Sequence, residues 1–400
     1  MLYYKNEDLK MKNVLLKILV IFLKILYLPM KLFKVKNKIT YMSRESNFET
    51  LDFKMIRQEV EKEYPEYENV ILCKKIEDGI INKISYCGNV FRQMYHLATS
   101  KVIVLDTYSI TACVLSHKKE TKIIQIWHAL GAIKKFGYQT IGTKSGSNIN
   151  TAKIMCMHKN YDYVLAPSVA TAKNFEKAFN VGEEKIKYIG LPRIDYILHK
   201  DEQKKNEIFN EYNISENKQI IIYVPTFRKG EEVELDELVE KIDTRKYLLV
   251  IKLHPLDLKE YVYKQKDGVI YDTKFKSYDW LKIADKIITD YSSLSIESSL
   301  LNIPIYFYTY DLKKYQENNG LNFDFENEEI GKYNTGNVDV LLNMIKEDYD
   351  YKALEDFKNK YISIDTNNCT KQIVEFIARL LKNEEIKNLG NEPIKEKQII

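Results

Sequence analysis

The chain has few cysteines, and they are not arranged as a disulfide framework or a zinc site. Its 400 residues include five cysteines, an odd number, and no two of them form a CxxC pair. Disulfide scaffolds and structural zinc sites need closely spaced cysteines, so neither is indicated. The scattered cysteines instead fit a protein of a reducing compartment. The content of 45% apolar and 12% aromatic residues is typical of a globular protein.

Several common catalytic motifs are also missing. The sequence contains no GxxxxGK[ST], no GxGxxG and no GxSxG, which argues against a P-loop, a Rossmann dinucleotide fingerprint and an α/β-hydrolase nucleophile. No cluster of carboxylates demands a metal ion. A D-X-D triplet at residues 348–350 lies in a polar context typical of a solvated turn. We therefore predict neither a metal nor a cofactor.

An excess of basic residues is absent from most of the chain. The formal net charge is +4, yet residues 9–44 contain nine basic residues and no acidic one. The rest of the chain has 52 basic and 57 acidic residues. Because acidic residues outnumber basic ones in this part of the chain, it has no electrostatic basis for binding nucleic acid. No nucleic-acid partner is expected.

The basic N-terminal segment lacks a long uncharged run. Its longest runs without a charge are six residues, whereas a membrane-spanning helix needs roughly 20 predominantly apolar residues. Lysines recur every seven residues, at positions 10, 17, 24 and 31, so they stay near one face of a helix that Pro29 would kink or end. This pattern predicts an amphipathic helix lying in the plane of an anionic membrane leaflet. A core helix or an oligomer-forming helix is the alternative.

Strand and helix patterns alternate through the rest of the chain, whose length suggests two domains. A polar run at residues 199–218 separates two series of apolar, β-branched runs, which are typical of parallel strands buried on both faces. The first series is VILCKK, KVIVLD, KIIQIWH, YDYVLAPS and IKYIGLP, and the second is QIIIYVPT, YLLVIKLHP, GVIYDT, KIITD and IPIYFYT. We predict two βα (Rossmann-like) domains facing a central cleft. The predicted division is a membrane-associating segment 1–42, a first domain 43–205, a second domain 206–385 and a polar tail 386–400.

Six of these runs end in a polar group that could hold phosphate or move a proton. Ligands of open α/β sheets bind outside the carboxyl ends of the strands, so these side chains can converge on one crevice. They are His128, Arg193, Thr226 with Arg228, Lys252 with His254, Ser292 with Ser293, and Asp311. The pattern indicates an enzyme that acts on a charged, phosphate-bearing substrate.

Three of these positions suit phosphate, and each has a plain structural alternative. Ser292 or Ser293 can begin the helix that carries Glu297, and a helix N-terminus attracts anions, although an ordinary N-cap has the same pattern. The Lys-X-His pair suits a diphosphate or is simply a strand end. Arg228 can fork onto phosphate oxygens or form a surface ion pair.

His128 has a more specific context than the other histidines. It follows Trp127 and precedes a turn of small residues at 129–132. An exposed histidine at this place could accept a hydroxyl proton as a general base, because its reference pKa lies near 6.5. A structural histidine is the alternative.

Taken in order, these motifs resemble the CDP-glycerol glycerophosphotransferase family, which makes teichoic acids and related polymers. The matching stretches, from about residue 90 to 325, are YHLATSKVIVLD, QIWHALGAIKKFG, VLAPS, YIGLPRID, VPTFRKG, LVIKLHP and ITDYSSLSIESSLLNIPIYFYTYDLKKYQENNGLNFDF. The resemblance implies a GT-B-like fold, association with the inner leaflet of the membrane, and displacement of CMP from CDP-glycerol or CDP-ribitol. One stretch departs from the family, since Ala129-Leu130-Gly131 replaces the commoner Gly-Thr-Pro, and this leaves the acceptor and the alditol open.

The resemblance also implies roles for individual residues. His128 matches a proposed catalytic base, and His254 matches a histidine near the diphosphate. Arg228 and the serine pair match phosphate-contacting positions. The full set of residues predicted to bind substrate is Arg193, Thr226, Arg228, Lys252, Asp290, Ser292, Ser293, Glu297 and Asp311.

The predicted reaction is the transfer of an alditol phosphate. A hydroxyl of a lipid-linked saccharide or glycerol phosphate acceptor attacks the β-phosphorus of the CDP-alditol, and CMP leaves. His128 takes the proton, while His254, Arg228 and the serine pair hold the diphosphate. Two alternatives stay open, namely a GT-B glycosyltransferase that uses a nucleotide sugar and a non-catalytic, membrane-docked assembly protein.

Overall fold

The computed structural model describes residues 2–77, 79–215, 217–228, 233–253 and 264–384. The chain forms two compact units, and neither is a single contiguous stretch. Unit 1 comprises Met1–Leu130, Phe136–Arg193 and Ser363–Ile400, and unit 2 comprises Gly131–Lys135 and Ile194–Ile362. The chain therefore changes units four times.

Unit 1 is built on a six-stranded parallel sheet in the order β2-β1-β3-β4-β5-β6. Its strands are β1 (Lys36–Ser43), β2 (Glu68–Cys73), β3 (Ser100–Leu105), β4 (Lys122–Gln125), β5 (Tyr163–Leu165) and β6 (Ile186–Lys187). Its first helices are α1 (Leu2–Met30), α2 (Leu51–Glu63), α3 (Ile80–Thr99), α4 (Ile110–Val114), α5 (Ile149–Ile154) and α6 (Val169–Phe179). The central strands are buried on both faces, as their continuous apolar runs predict.

Unit 2 has a second six-stranded parallel sheet in the order β12-β11-β10-β7-β8-β9. Its strands are β7 (Gln219–Val224), β8 (Tyr247–Ile251), β9 (Val269–Tyr271), β10 (Lys286–Thr289), β11 (Ile305–Tyr308) and β12 (Asn334–Thr335). The helices that follow α6 are α7 (Pro192–Leu198), α8 (Glu202–Tyr212), α9 (Asp236–Lys241), α10 (Ser277–Leu281), α11 (Leu294–Ser299), α12 (Leu312–Asn318), α13 (Val338–Met344) and α14 (Tyr351–Tyr361). The prediction of two parallel-sheet α/β domains is confirmed, and all ten predicted strands are present.

The last helix, α15 (Cys369–Lys382), returns to unit 1 and packs on α2 and β3. Apolar residues spaced three and four apart, such as Ile373 and Ile377, form its buried face. The sequence-based division at residue 205 therefore differs from the compact units, which separate at residue 193. It also placed α15 in the wrong unit, because the amphipathic pattern does not show which sheet covers the apolar face.

Strand β1 corrects the predicted membrane segment 1–42. Its residues Ile39 and Tyr41 are fully buried, and β1 lies between β2 and β3 in the unit 1 sheet. Lys38 is also buried, and its ammonium donates to the Thr99 hydroxyl at 2.7 Å. The basic residues of this stretch made it look like a continuation of the N-terminal segment, although it belongs to the core.

Helix α1 ends at Met30, one residue after Pro29, as expected. Its stretch Lys10–Met30 has a mean hydropathy of 2.0 and is 17% buried. By length and composition this stretch could cross a membrane, contrary to the argument from its short uncharged runs. One face of the helix packs on unit 1 through Val20, Leu23 and Tyr27, near α3 and α5.

Candidate functional site

The switch point of the unit 2 sheet lies between β7 and β10, since the chain continues from these strands toward opposite edges. Thr226 follows β7 and Asp290 follows β10. The Thr226 backbone N–H donates to both carboxylate oxygens of Asp290 at 2.9 Å. The Thr226 hydroxyl is buried without a hydrogen-bond partner among the described residues. Ligands of open parallel sheets bind at such a point, so the structure places two predicted residues where a ligand is expected.

Arg228 joins this switch point to the next strand end. Its Nη1 donates to Asp290 Oδ2 at 2.8 Å and to the Thr226 carbonyl at 2.9 Å. Its Nε and Nη2 donate to the two oxygens of Asp311 at 2.6 and 2.9 Å. Three predicted residues, Arg228, Asp290 and Asp311, thus form one buried cluster, which we call the Arg228 cluster.

The Arg228 cluster changes the interpretation of Arg228 itself. The side chains of Arg228 and Asp290 are 3% and 0% exposed, and four of the five guanidinium N–H groups are bonded to protein oxygens. The rings of Tyr291, Tyr310 and Tyr315 lie 4.7–6.0 Å from the guanidinium carbon. This geometry is typical of a residue that holds two strand ends together rather than one that offers a free fork to phosphate.

Lys134 is a cation that the sequence analysis did not include in the site. Burial lowers the pKa of its ammonium, an effect that Asp290 opposes and Arg228 reinforces. Its backbone is paired with the segment after α12, because Asn322 donates to the carbonyls of Ile133 and Lys134 at 2.8 and 3.1 Å. The position of Lys134, in the same loop as His128, could have indicated it as a site residue. The sequence alone did not show that residues 131–135 of this loop belong to unit 2.

Gly320 permits the pairing of that loop. Its φ is +81°, and a Cβ atom there would lie 2.8 Å from Lys135 Cδ. The Gly320 carbonyl accepts from the backbone N–H of Lys135 at 3.1 Å. Glycine is favoured at this position by its positive φ, whereas the exposed Lys135 side chain could move away from a Cβ atom.

The predicted serine pair lies at the carboxyl end of β10, directly before α11. Ser292 and Ser293 are half-buried, and the Ser292 hydroxyl accepts from the Leu294 N–H at 3.2 Å. Helix α11 has only six residues, so its dipole is small. Glu297, which it carries, is buried. Of the phosphate contacts predicted among the described residues of this unit, the pair is therefore more accessible than Arg228.

Lys252 lies at the end of β8 and is held by a different carboxylate. Its ammonium donates to Asp272 Oδ2 at 2.5 Å and to the Phe275 carbonyl at 2.6 Å. The indole of Trp280 donates to the same Asp272 oxygen at 2.9 Å. The structure thus gives Lys252 a buried structural partner. His254, the other half of the predicted pair, lies outside the described residues.

The switch point of the unit 1 sheet lies between β1 and β3, and His128 is attached to it. His128 Nδ1 lies 3.0 Å from the backbone carbonyl of Asp106, the residue after β3. A carbonyl only accepts, so Nδ1 carries the hydrogen, and Nε2 is the unprotonated nitrogen of the neutral ring. His128 is exposed. Its tautomer and exposure suit a general base.

The turn that presents His128 has an unusual backbone. Trp127 has a φ of +61°, a left-handed conformation that is costly for a bulky residue. Its N–H donates to Gln125 Oε1 at 2.8 Å, and its ring stacks on Phe136 at a centroid distance of 4.5 Å. Gln125 is fixed in turn by donating to the Thr107 carbonyl at 3.0 Å. Several contacts therefore hold the turn in a strained conformation.

Arg193 also holds the turn that carries His128. Its Nη1 donates to the His128 carbonyl at 2.6 Å, and its Nε donates to Asp52 Oδ2 at 3.0 Å. The side chains of Arg193 and Asp52 are 9% and 1% exposed. The structure thus brings the predicted residues His128 and Arg193 together, with Arg193 in a buried ion pair.

Asp106 was missed because β1 was not recognised as a strand, so the switch point could not be located. It is almost fully buried, and its Oδ1 has no hydrogen-bond partner among the described residues. Burial, with Asp52 and Glu45 nearby, raises the pKa of this carboxyl to about 7. Among the described residues, no group of three or more His, Cys, Asp or Glu side chains could hold a metal ion.

Two parallel-sheet α/β domains with polar residues at their switch points define a GT-B-like enzyme fold. A family model described as CDP-glycerol:poly(glycerophosphate) glycerophosphotransferase matches residues 25–379. The chain belongs to this family and is an enzyme of the CDP-glycerol phosphotransferase type.

Individual relatives agree with this assignment. The chain is 33% identical to the teichoic acid ribitol-phosphate primase of Bacillus spizizenii over 80% of its own length and 85% of the relative's. It is 31% identical to the teichoic acid glycerol-phosphate primase of Bacillus subtilis, over 73% and 77% of the two chains. A structure of a variant of the wall teichoic acid polymerase TagF, soaked with CDPG, has a TM-score of 0.68 at 21% identity and covers 93% of this chain and 98% of that one.

Proposed function

We propose that this enzyme transfers glycerol phosphate or ribitol phosphate from the CDP-alditol to a hydroxyl of a lipid-linked acceptor in teichoic acid synthesis. The observation that carries the proposal is the geometry of His128, whose Nδ1 donates to the Asp106 carbonyl so that Nε2 can accept a proton. The family and the two primases support the substrate class.

In the proposed reaction the acceptor oxygen forms a bond to the β-phosphorus of the CDP-alditol. The bond between that phosphorus and the bridging oxygen breaks, and CMP leaves with the bridging oxygen. The acceptor proton passes to Nε2 of His128. Ser292, Ser293 and the Lys134 ammonium stabilise the diphosphate, while the Arg228 cluster fixes the strand ends that carry the serines.

The proposal is tested by following CMP and the product mass. The purified full chain is incubated with CDP-glycerol, CDP-ribitol or a UDP-sugar, each with and without a synthetic lipid-linked acceptor. We expect CMP release only when a CDP-alditol and the acceptor are both present, with a matching gain of one alditol phosphate by mass spectrometry. Consumption of the UDP-sugar would identify a glycosyltransferase, and no CMP release with either CDP-alditol would favour a non-catalytic assembly protein.

We further propose that α1 lies in the plane of the cytoplasmic leaflet and does not cross the membrane. Val20, Leu23 and Tyr27 are buried against unit 1, which would keep the helix on the surface of the catalytic body. The exposed face combines apolar residues such as Ile18 and Phe22 with lysines. Such a face suits the boundary between headgroups and acyl chains of an anionic leaflet.

A cysteine placed near the start of the helix distinguishes an in-plane helix from a spanning one. A Lys10→Cys variant in intact cells should not react with a membrane-impermeant maleimide, because both ends of an in-plane helix stay inside. Native Cys87, which is exposed, provides the internal reference, and both cysteines should react once the cells are lysed. External labelling of residue 10 without labelling of Cys87 would establish a spanning anchor.

A further inference from the structure

A cavity of about 420 Å³ lies within unit 1, between α1 and the segments after α4 and α5. Binding cavities for small ligands typically measure roughly 300–1,000 Å³. The cavity is lined by residues of α1, including Lys24 and Tyr27, by Ser116 after α4, and by Cys156 and Lys159 after α5. We call this cavity the α1 groove. It contains none of the residues assigned to the reaction.

One side of the α1 groove is continuous with the exposed apolar face of α1. Ile21, Ile25 and Leu28 line the groove and are also 57%, 59% and 63% exposed. Large apolar side chains that are exposed on a helix and also line a cavity are typical of a binding surface. A hydrocarbon chain can pass from the exterior into the groove along these residues.

The groove also carries a localised positive charge. Lys24 comes from α1, Lys31 directly follows α1, and Lys159 comes from the segment after α5. None of the described residues that line the groove is acidic. Within the described part of the chain, the Lys31 ammonium has a single long hydrogen bond of 3.4 Å, to the Ser116 hydroxyl. Three lysines that line one cavity, with no carboxylate among its described lining residues, favour an anionic ligand.

A buried hydroxyl provides an independent sign of a polar ligand. Tyr27 lines the groove and is 2% exposed, and its hydroxyl has no hydrogen-bond partner among the described residues. A buried O–H group without a partner is rare, because its desolvation is not compensated. Oxygen atoms of a bound headgroup would accept this bond.

We propose that the α1 groove binds one anionic, phosphate-bearing membrane lipid. The lipid phosphate lies among Lys24, Lys31 and Lys159, and the first part of its hydrocarbon chain lies along Ile21, Ile25 and Leu28. This occupant satisfies both the charge and the apolar continuity, which free phosphate would not. The site goes beyond the phosphotransfer reaction and does not depend on it, and it would join α1 to unit 1 through a lipid.

Native Cys156 reports on the groove because it lines the cavity and is partly accessible. The full chain is alkylated in the presence of monomeric dihexanoyl phosphatidylglycerol, dihexanoyl phosphatidylcholine or inorganic phosphate, and the rates at Cys156 and at exposed Cys87 are measured by mass spectrometry. No bilayer is present, so shielding by a membrane surface cannot contribute. We expect phosphatidylglycerol, at a concentration about ten times its Kd, to slow the alkylation of Cys156 about tenfold. The alkylation rate of Cys87 should not change.

A matched pair of charge reversals completes the test. Lys159→Glu should remove the protection by phosphatidylglycerol, whereas Lys153→Glu, at an exposed position on α5 that does not line the groove, should retain it. Both variants should have the same Tm as the chain without substitutions, and the same turnover with a soluble acceptor. The proposal would be overturned if inorganic phosphate or phosphatidylcholine protected Cys156 as well as phosphatidylglycerol does. It would also be overturned if both variants lost the protection equally, or if phosphatidylglycerol gave no protection.

Discussion

A His128→Asn variant is expected to lose turnover by about 10²- to 10⁴-fold, the typical contribution of a general base. The asparagine amide can replace Nδ1 as the donor to the Asp106 carbonyl, so the turn should keep its conformation while the proton acceptor is removed. Because a base acts after the donor has bound, the Kd for the CDP-alditol should stay near that of the unmodified enzyme. Calorimetric titration and a CMP-release assay measure the two quantities separately.

The matched control for this variant is His199→Asn, because His199 is an exposed histidine that carries no proposed role. It should retain both turnover and donor affinity. Near-normal turnover in the His128 variant would show that this residue is not the base. A loss of donor affinity as large as the loss of turnover would assign His128 to binding instead.

Replacing Arg228 with Ala is expected to destabilise unit 2 by about 3–5 kcal/mol, because two buried carboxylates lose their shared cation. Asp290 is fully buried, and the Asp311 side chain is 12% exposed. The chain has two tryptophans, and Trp280 is buried in unit 2. Urea unfolding followed by the fluorescence of Trp280 in a Trp127→Phe background therefore reports on this unit.

A triple variant distinguishes a structural role of Arg228 from direct phosphate binding. Combining Arg228→Met with Asp290→Asn and Asp311→Asn removes the cation and both negative charges, so most of the lost stability should return. A phosphate-binding Arg228 predicts a different result, in which Arg228→Ala leaves the unfolding free energy unchanged and narrows the difference in affinity between CDP and CMP. The first outcome would confirm the cluster, and the second would restore the original interpretation.

Apolar, β-branched runs predicted the central strands because strands buried on both faces need such residues along their whole length. The same criterion failed for β1, where Lys36 and Lys38 interrupt the run. Lys38 is accommodated because its ammonium reaches the Thr99 hydroxyl, a partner that only the folded structure reveals. The search for apolar runs also missed β12, because this strand has only two residues and a run of that length cannot be recognised.

Sequence reasoning predicted that polar residues of unit 2 lie close together, but it could not say what they bind. Arg228 is 62 residues from Asp290 and 83 residues from Asp311 along the chain. Their shared position at strand ends predicts proximity. It does not decide between pairing with a substrate and pairing with one another, because both arrangements use the same residue types. The distances in the folded structure are needed to separate the two.

The return of α15 to unit 1 has a consequence for the order of folding. All six strands of unit 1 have been synthesised once residue 187 has been added, yet the helix that covers α2 and β3 is synthesised only after residue 368. Until then, the part of unit 1 that receives Ile373 and Ile377 stays uncovered while unit 2 is being made. Exposed apolar surface of this kind promotes aggregation during synthesis. The growing chain should therefore need protection by a chaperone, and a fragment that ends at residue 193 should be poorly soluble.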